Sequence, residues 1–502
     1  MSYFKLIRYM VPVFLFSFLF HLSAWAFEPW PVPKTYVPTY KGMVKEKATC
    51  DDKTDLFVTL HPKDTVPPEM WKRIHWDIGQ MQELWAEIVG FKSPDLVNKI
   101  APEIKPGKYT YKDVQKNPAF KGLFPPVIVP HIKQGGPPFI MSIMDFELEP
   151  TKQFFLALST AEITIQNLGK TKLDKDGYLV SGTWQGGFPF PKPSGKFKAQ
   201  QIYYNFEKRC ANYDSNYILT GEGLSFDKNL NMDKYNAYER QMTTFMGRTF
   251  MEPYGWFDER AKKRGQWASD VVTIHEPRST RGTIRLLVRY DDPYKMDPFL
   301  MYLPMMRRIR KMSATDTQDP SGDQCFDDYG LMRQKITPKK YPYKYEIIEE
   351  REYLLPWSYN AAKAWTDSKN GYALRGMGFM RRPCYVLQMT QLDPNYVYSK
   401  RIYYVDKETF MFSTGTFYDQ KGRLYRYSEI SRSFLPECGQ IVSQGTPAWQ
   451  IDYVDTHSSV QSTPAWQIDY VDTHSSVQSL CTVPAQYSRE DFNISELMKR
   501  GK

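Results

Sequence analysis

TIRLLVRY, residues 283–290, and FLMYLPMMRRIRK, residues 299–311, carry the strongest structural signal in the chain. In the first run, apolar or aromatic residues recur at every second position from Ile284 to Tyr290, and Arg285 and Arg289 lie between them. Successive side chains of a strand point to opposite faces, so this alternation predicts a half-buried antiparallel strand. No nucleophile motif, metal-ligand motif or phosphate loop accompanies either run.

Further segments are rich in aromatic and β-branched residues and are joined by short polar turns, which favours an antiparallel meander. The predicted strands are Phe154–Ile165, Gly177–Trp184, Phe197–Phe206, Val271–His275, Gly282–Tyr290, Phe299–Leu303, Tyr345–Leu354, Tyr385–Leu392, Lys400–Val405, Phe410–Tyr418 and Arg423–Ile430. A single sheet of about ten strands has to twist and curl. We therefore predict a mainly β (α+β) protein with one large curved sheet, whose concave face is filled by helices or by an apolar ligand.

The first 26 residues have the organisation of a secretory signal peptide. Lys5 and Arg8 supply the positive region, residues 9–20 are almost wholly apolar, and Ala24 and Ala26 have the small side chains that signal peptidase prefers. We expect cleavage after Ala26 and export to the periplasm. The alternative is an uncleaved N-terminal anchor, but the apolar run is shorter than the ~20 residues that cross a bilayer.

Composition is that of a globular exported protein. The chain is 42% hydrophobic and 15% aromatic, which is ample for a core, and its net charge of +10 is spread along the sequence. An exported chain does not meet nucleic acid, so this charge indicates solubility and attraction to anionic lipid or envelope polymer. The six cysteines allow disulfides whose pairing the sequence does not determine. Cys438 with Cys481 is the best local choice. The cysteines are Cys50, Cys210, Cys325, Cys384, Cys438 and Cys481.

The sequence predicts four regions, counting the signal peptide. Residues 27–140 form a proline-punctuated arm and a helical region, in which residues 67–89 have the spacing of one amphipathic helix. Residues 141–440 form the curved antiparallel-sheet domain. Residues 441–502 form a C-terminal segment with a terminal helix, and residues 1–26 are the signal peptide.

A perfect 17-residue tandem repeat occupies residues 446–462 and 463–479. Two copies are too few for a solenoid. A duplicated binding strand is one interpretation, with Asp455, His457, Asp472 and His474 as metal ligands. We favour a slippage duplication that leaves one copy as a surface bulge, and we expect no metal or cofactor.

Several motifs resemble those of an exported proteobacterial family called domain of unknown function 1329 (DUF1329), which is grouped with lipoprotein-sorting proteins of LolA/LolB type. They are Leu303-Pro304-Met305-Met306-Arg307-Arg308-Ile309-Arg310 with Phe326-Asp327-Asp328-Tyr329, Phe188-Pro189-Phe190-Pro191 after Gly186-Gly187, residues 353–360 and residues 399–406. The ending at residues 490–497 is also similar. The likeness covers residues 145–435 and that tail, whereas residues 27–140 and the repeat do not follow the family pattern.

The resemblance implies an unclosed barrel covered by helices around an apolar cavity, and periplasmic handling of lipids, lipoproteins or other hydrophobic compounds. The partners so implied are the hydrophobic ligand and an envelope transporter or outer-membrane protein. Peripheral membrane contact is a separate expectation, which rests on the basic net charge. The candidate cavity residues are Trp184, Phe188, Phe190, Tyr203, Tyr302, Tyr353, Trp357, Tyr403 and Phe412. The alternative for each is an ordinary core aromatic, which is the commoner role.

Three arginines are candidates for binding an anionic headgroup through bidentate hydrogen bonds: Arg307, Arg308 and Arg310. Pairing with the aspartates at 316, 319, 323, 327 and 328 is the alternative. The chain has no G-x-S-x-G, H-E-x-x-H or P-loop motif, so no catalytic residues are expected. A non-enzymatic hydrophobic-ligand carrier is our preferred hypothesis. An envelope adaptor and, less favoured, a hydrolase remain open.

Overall fold

The computed structural model describes most of the chain from residue 68 to residue 484. The described residues are 68–127, 129–132, 145–208, 214–226, 232–250, 254–256, 258–312, 335–339, 342–359, 365–367, 373–375, 377–430, 432–442, 448–452, 468–471, 482–484 and 499. The predicted signal peptide, the two Asp/His pairs of the repeat and the aspartates near the arginines lie outside these residues. The division into regions stays a prediction.

The described residues include seven short α-helices, which lie before and within the sheet region. They are α1 Pro68–Ile74, α2 Ile78–Val89, α3 Ser93–Leu96, α4 Tyr111–Lys116, α5 Leu158–Gln166, α6 Lys198–Lys208 and α7 Glu259–Arg264. Single 3₁₀ turns occupy Pro118–Leu123, Val129–His131 and Pro304–Met306. Among the described helices, none combines the length and the hydrophobicity needed to cross a bilayer.

The remaining regular structure is β. The described strands are β1 Gly107–Thr110, β2 Asp145–Glu149, β3 Ser215–Phe226, β4 Met232–Thr244, β5 Gln266–Glu276, β6 Ile284–Tyr290, β7 Phe299–Leu303, β8 Arg308–Lys311, β9 Tyr343–Leu355, β10 Trp357–Ser358, β11 Trp365–Asp367, β12 Ala373–Arg375, β13 Met377–Gln391, β14 Lys400–Asp406, β15 Phe412–Tyr418, β16 Leu424–Ile430, β17 Arg432–Leu435, β18 Gln440–Val442, β19 Ala448–Asp452, β20 Ile468–Val471 and β21 Thr482–Pro484.

One large sheet dominates the fold. Its strand order is β1-β2-β13-β14-β15-β16-β19-β20-β3-β4-β5-β6-β7-β8, with β9 beside β13 and β21 beside β3. Every pairing in it is antiparallel except β2 with β13. The path has two ends, β1 and β8, so the described strands do not close on themselves. The prediction of a mainly β protein with a large, unclosed antiparallel sheet is confirmed.

The alternation in the opening run matches the core. Ile284, Leu286 and Val288 of β6 are buried in one apolar cluster, which also contains Val271 of β5 and Tyr302 of β7. Hydrophobic burial on this face fixes the register of the strand, because a slip of one residue would expose the whole set. A much larger cluster joins α2, α6 and strands β9, β13, β14 and β15. The helices therefore cover one region of the sheet.

Three predicted strands are wrong. Residues 154–165 contain the start and most of α5, and residues 197–206 coincide with α6. In α6, the buried residues Ala199, Ile202, Tyr203 and Phe206 recur at helical spacing, so the aromatic content suggested a strand where the period indicated a helix. Residues 177–184 form turns with one isolated bridge, from Leu173 to Leu179. The eight other predicted strands are present.

Three smaller expectations also need correction. The predicted single helix at 67–89 is two helices, because Asp77 has extended backbone angles and its carboxylate accepts from the Gln80 N–H, which starts α2 anew. Cys438 is a buried free thiol, so the expected bridge to Cys481 is not formed. The repeat leaves no copy as a bulge in its described part, since β19 and β20, one from each copy, pair with each other inside the sheet.

Candidate functional site

A cleft of about 460 Å³ opens beside α2, between the end of α5 and the segment that follows Gly187. Its volume is typical of small-molecule sites, which range over about 300–1,000 Å³. Most of the side chains around it are apolar. The lining residues are Leu84, Glu87, Ile88, Ile165, Leu168, Gly169, Thr171, Pro189, Phe190, Pro191, Lys192, Ser194 and Gln201.

Helix α2 forms one wall of the cleft, and both of its ends are capped. Asp77 caps the N-terminus, and Gly90 ends the helix with a left-handed backbone (φ 91°) and an N–H bond to the Ala86 carbonyl. Met81, Trp85 and Ile88 are buried on the inner side. This arrangement leaves Leu84 and Ile88 at the edge of the core, where they line the cleft.

The opposite wall is the Phe188–Pro191 segment, and two contacts fix its backbone. Gly187 has φ +72°, and a Cβ at that position would lie 2.4 Å from Oγ1 of Thr164, so glycine lets the segment pack directly on α5. The buried amide of Asn205 on α6 accepts from the Phe190 N–H at 2.8 Å and donates to the Phe190 carbonyl at 2.6 Å. The half-buried Phe190 ring is therefore held at the cleft by rigid elements.

A buried trio of charged residues anchors α2 to the sheet. Arg382 of β13 donates to Asp406 at 2.7 Å and to Glu408, and all three side chains are fully buried. The Glu408 carboxylate also accepts from the Phe154 N–H at 2.7 Å and from the Ser93 hydroxyl at 2.9 Å. The Trp85 indole N–H donates to the Glu408 carbonyl oxygen at 3.0 Å. Glu408 thus connects α2 and the start of α3 with the turn between β14 and β15.

Burial and the neighbouring charges shift the pKa values of Arg382 and Glu408. One guanidinium neutralises one carboxylate, so a second negative charge in the same dry site is disfavoured. Burial accordingly raises the pKa of Glu408 to about 7, against the opposing effect of Arg382. Although burial opposes it, the attraction of Asp406 and Glu408 raises the pKa of Arg382. The Arg382 guanidinium therefore stays cationic, whereas Glu408 takes up a proton as the pH falls through about 7.

The cleft combines an apolar surface with a few polar groups, which suits the binding of a largely apolar molecule. Its lining includes no histidine or cysteine, and its polar groups, among them Glu87, Lys192 and Gln201, accompany an apolar surface. Ile165 and Leu168 are 42% and 50% exposed there, so their apolar surface is still available to a ligand. Across the described part of the chain, no three His, Cys, Asp or Glu side chains come together as metal ligands would.

The structure places eight of the nine aromatic candidates in the core. The buried eight are Trp184, Phe188, Tyr203, Tyr302, Tyr353, Trp357, Tyr403 and Phe412. They contact other protein rings: Tyr403 lies 4.5 Å from Phe412, and Trp357 stacks on Phe154 at 5.2 Å. Tyr302 belongs to the separate β5–β7 cluster. The structure therefore does not bring the nine together around one space.

Two of the aromatic candidates are close to the cleft. Phe190 lines it. Phe188 packs directly behind, with its ring 5.5 Å from that of Trp85 on α2 and 5.2 Å from that of Phe410. The Phe-Pro-Phe-Pro motif is thus the part of the candidate set that meets the observed site.

The three arginine candidates lie elsewhere. Arg307 ends the 3₁₀ turn between β7 and β8, and Arg308 and Arg310 lie on β8, which is at one end of the sheet that the described strands form. All three side chains are exposed and none lines the cleft. Their assignment as headgroup-binding residues therefore finds no support in this cleft.

Sequence reasoning missed most of the cleft. Leu84, Ile165 and Leu168 come from separate segments, and residues 154–165 were predicted to be a strand. One signal was available: Ile165 and Leu168 are three residues apart and follow small buried residues at 159–161, a spacing that places an apolar pair on one side of a helix end.

Comparison with known proteins gives one decisive result. The family described as "Protein of unknown function (DUF1329)" matches residues 131–482, well over half of the chain. The protein belongs to the DUF1329 family. The cleft residues from Ile165 to Gln201, and Arg382 and Glu408 of the buried trio, lie within the matched part of this DUF1329 protein. No curated protein is similar enough to count as a match.

Solved structures resemble this DUF1329 protein more distantly, each at 14% identity. A Vibrio parahaemolyticus domain described as an outer membrane lipoprotein-sorting protein domain covers 59% of this chain and 97% of its own, with a TM-score of 0.38. A DUF1329 family protein from Desulfovibrio piger covers 57% and 92%, at 0.36. The LolA superfamily protein NE2245 from Nitrosomonas europaea covers 59% and 98%, at 0.35. Because these TM-scores are below 0.5, membership rests on the family match alone.

Proposed function

We propose that this DUF1329 protein is a non-enzymatic periplasmic carrier for a hydrophobic ligand, such as a lipid, the acyl chains of a lipoprotein or another apolar compound. The ligand binds in the cleft between α2, the end of α5 and the Phe188–Pro191 segment. The predicted signal peptide supports the periplasmic location. The observation that carries the proposal is a cleft of about 460 Å³ with exposed Ile165 and Leu168 at its side.

Rigid walls favour reversible binding of an apolar chain. The Asn205 amide fixes Phe190, and the Arg382–Asp406–Glu408 trio fixes α2, so little side-chain entropy is lost when the ligand binds. Each methylene removed from water contributes about 0.8 kcal/mol. A chain that inserts only part of its length therefore binds measurably and still leaves when an acceptor offers greater burial.

Phe190 is the aromatic candidate that we propose as a direct ligand contact. The eight buried candidates are not part of the proposed contact surface, because their side chains are buried in the core and do not line the cleft. The cleft residues Leu84, Ile88, Ile165 and Leu168 complete the proposed apolar surface.

A fluorescent fatty-acid probe tests this site. Leu168→Glu places a carboxylate in the cleft, and this charge has to be desolvated when the probe binds. We expect at least about tenfold weaker binding, the equivalent of ~1.4 kcal/mol. The matched control is Leu392→Glu, because Leu392 is 58% exposed at the end of β13 and does not line the cleft. Equal probe affinity in the two variants would refute the assignment of the site.

A further inference from the structure

The turn between β7 and β8 exposes two adjacent methionines. Met305 is 92% exposed and Met306 is 54% exposed, and both lie in the 3₁₀ turn Pro304–Met306. Arg307 ends this turn with a left-handed backbone, φ +49°. Single exposed apolar residues are common on soluble proteins. Two neighbouring methionines at the end of a hairpin are different, because together they form a protruding apolar surface with flexible side chains.

Cations surround these methionines. Arg307, Arg308, Arg310 and Lys311 are all exposed, and none of them forms an ion pair with a residue that the structure describes. The charge is therefore presented to solvent around the methionines.

A second turn adds further positive charge. Ile284 of β6 pairs with Tyr302 of β7, so the β5–β6 turn lies at the same end of the sheet. A Cβ built on Gly282 of that turn would lie 3.2 Å from Cγ of Pro304, so the two turns touch. Arg278 and Arg281 of the second turn are exposed, and Arg281 bonds Glu276. We call residues 277–283 together with 304–311 the basic tip.

Protection of the sheet edge against pairing with other chains explains some of the cations in the basic tip. Charged side chains on an end strand discourage pairing with other sheets, which explains Arg308, Arg310 and Lys311 on β8. It does not explain Met305 and Met306, because exposed thioether side chains give no protection against association. Cations beside protruding apolar side chains are complementary to a surface that is anionic outside and apolar beneath. An anionic phospholipid bilayer has this chemistry.

We propose that the basic tip docks on anionic phospholipid bilayers, with Met305 and Met306 entering the boundary between headgroups and acyl chains. This inference goes beyond the carrier function, because it assigns the surface by which the protein meets a membrane, and it uses no residue of the cleft. Each cation near such a surface strengthens partitioning about fivefold. Removing three should weaken it on the order of a hundredfold.

Vesicle sedimentation of the full mature protein tests the proposal. Wild type should bind vesicles of phosphatidylcholine with phosphatidylglycerol, bind phosphatidylcholine alone far more weakly, and lose binding at high salt. Arg307→Gln/Arg308→Gln/Arg310→Gln should lose about a hundredfold in partitioning, and Met305→Ser/Met306→Ser should lose several-fold at unchanged charge. The charge control is Lys262→Gln/Lys263→Gln/Arg264→Gln, which neutralises three exposed cations on α7. The apolar control is Met296→Ser, at a methionine that is 46% exposed.

A larger loss of vesicle binding in the basic-tip variants than in their control variants supports the proposal. Equal loss in the tip and α7 variants would mean diffuse charge attraction and would overturn it, as would full binding by the methionine variant. Absence of wild-type binding to either vesicle would also overturn it and would favour a protein partner for the tip. Circular dichroism establishes that each variant is folded, and the methionine pair keeps the test valid if the arginine variant fails to fold. Probe binding in the cleft is measured separately, so failure of the carrier function is distinguishable.

Discussion

Arg382→Met probes the buried trio that holds α2 in place. Methionine retains an apolar stem but removes the guanidinium, which contacts Asp406, Glu408 and the Lys152 carbonyl and lies 4.2 Å from the Phe154 ring centroid. Two buried carboxylates then lose their cation. Removing one partner of a buried ion pair typically costs ~3–5 kcal/mol, because the remaining charge is uncompensated.

Urea unfolding measures this loss as a change in the free energy of unfolding. The matched control is Arg423→Met, since Arg423 pairs with Asp419 at the surface with its side chain 57% exposed, and such pairs contribute about 0–1 kcal/mol. We also expect weaker probe binding in the cleft of Arg382→Met, because Glu408 accepts the Trp85 bond that positions α2. If Arg382→Met lowers the free energy of unfolding no more than Arg423→Met does, the buried trio does not stabilise the fold.

Three further predictions concern pH, a close glycine contact and the repeat. The pKa of Glu408 is raised to about 7 in the folded protein, against about 4.5 in the unfolded chain. The stability that this carboxyl group contributes is therefore present below pH 4.5 and is lost as the pH rises toward 7. The free energy of unfolding should fall less between pH 5 and pH 7 in Glu408→Gln than in wild type. In thermal unfolding, Gly247→Ala should lower the free energy of unfolding by more than about 2 kcal/mol, because a Cβ would lie 2.3 Å from the Trp184 ring. Gly422 has a similar φ but open space around it, so Gly422→Ala should lower the free energy of unfolding by only about 1 kcal/mol. Deleting residues 463–479 removes β20, which pairs antiparallel with both β19 and β3. The two remaining strands run in the same direction, so we expect less folded protein to be secreted. A normal yield and melting temperature would contradict the observed pairing.

The sequence predicted the sheet best where one face of a strand is buried. In β6 the alternation of apolar and charged residues corresponds to burial of Ile284, Leu286 and Val288. The strands β14 to β16 are buried at nearly every position, and their aromatic and β-branched content predicted them instead. The signal failed in α5 and α6, where β-branched and aromatic residues occupy helices. Strand propensity mainly reflects packing on a half-buried surface, and a helix that lies on a sheet offers a similar environment.

The candidate site was less predictable, for a physical reason. The cleft unites α2, the end of α5 and the Phe188–Pro191 segment, and their proximity depends on long-range contacts such as Trp85 with Glu408 and Gly187 with Thr164. Local patterns do not contain these contacts. The resemblance to DUF1329 proteins highlighted the Phe-Pro-Phe-Pro motif, which contributes Phe190, but the other aromatic candidates were chosen by residue type, and most of these side chains fill the core.

Mass spectrometry of organic extracts tests the carrier function most directly. The mature protein is purified from its own host without detergent, beside the Leu168→Glu and Leu392→Glu variants. A carrier should yield one class of lipid or other apolar compound in near-stoichiometric amount from wild type and Leu392→Glu, and much less from Leu168→Glu. Extracts without any such compound, or equal amounts from all three proteins, would contradict hydrophobic-ligand binding in the cleft.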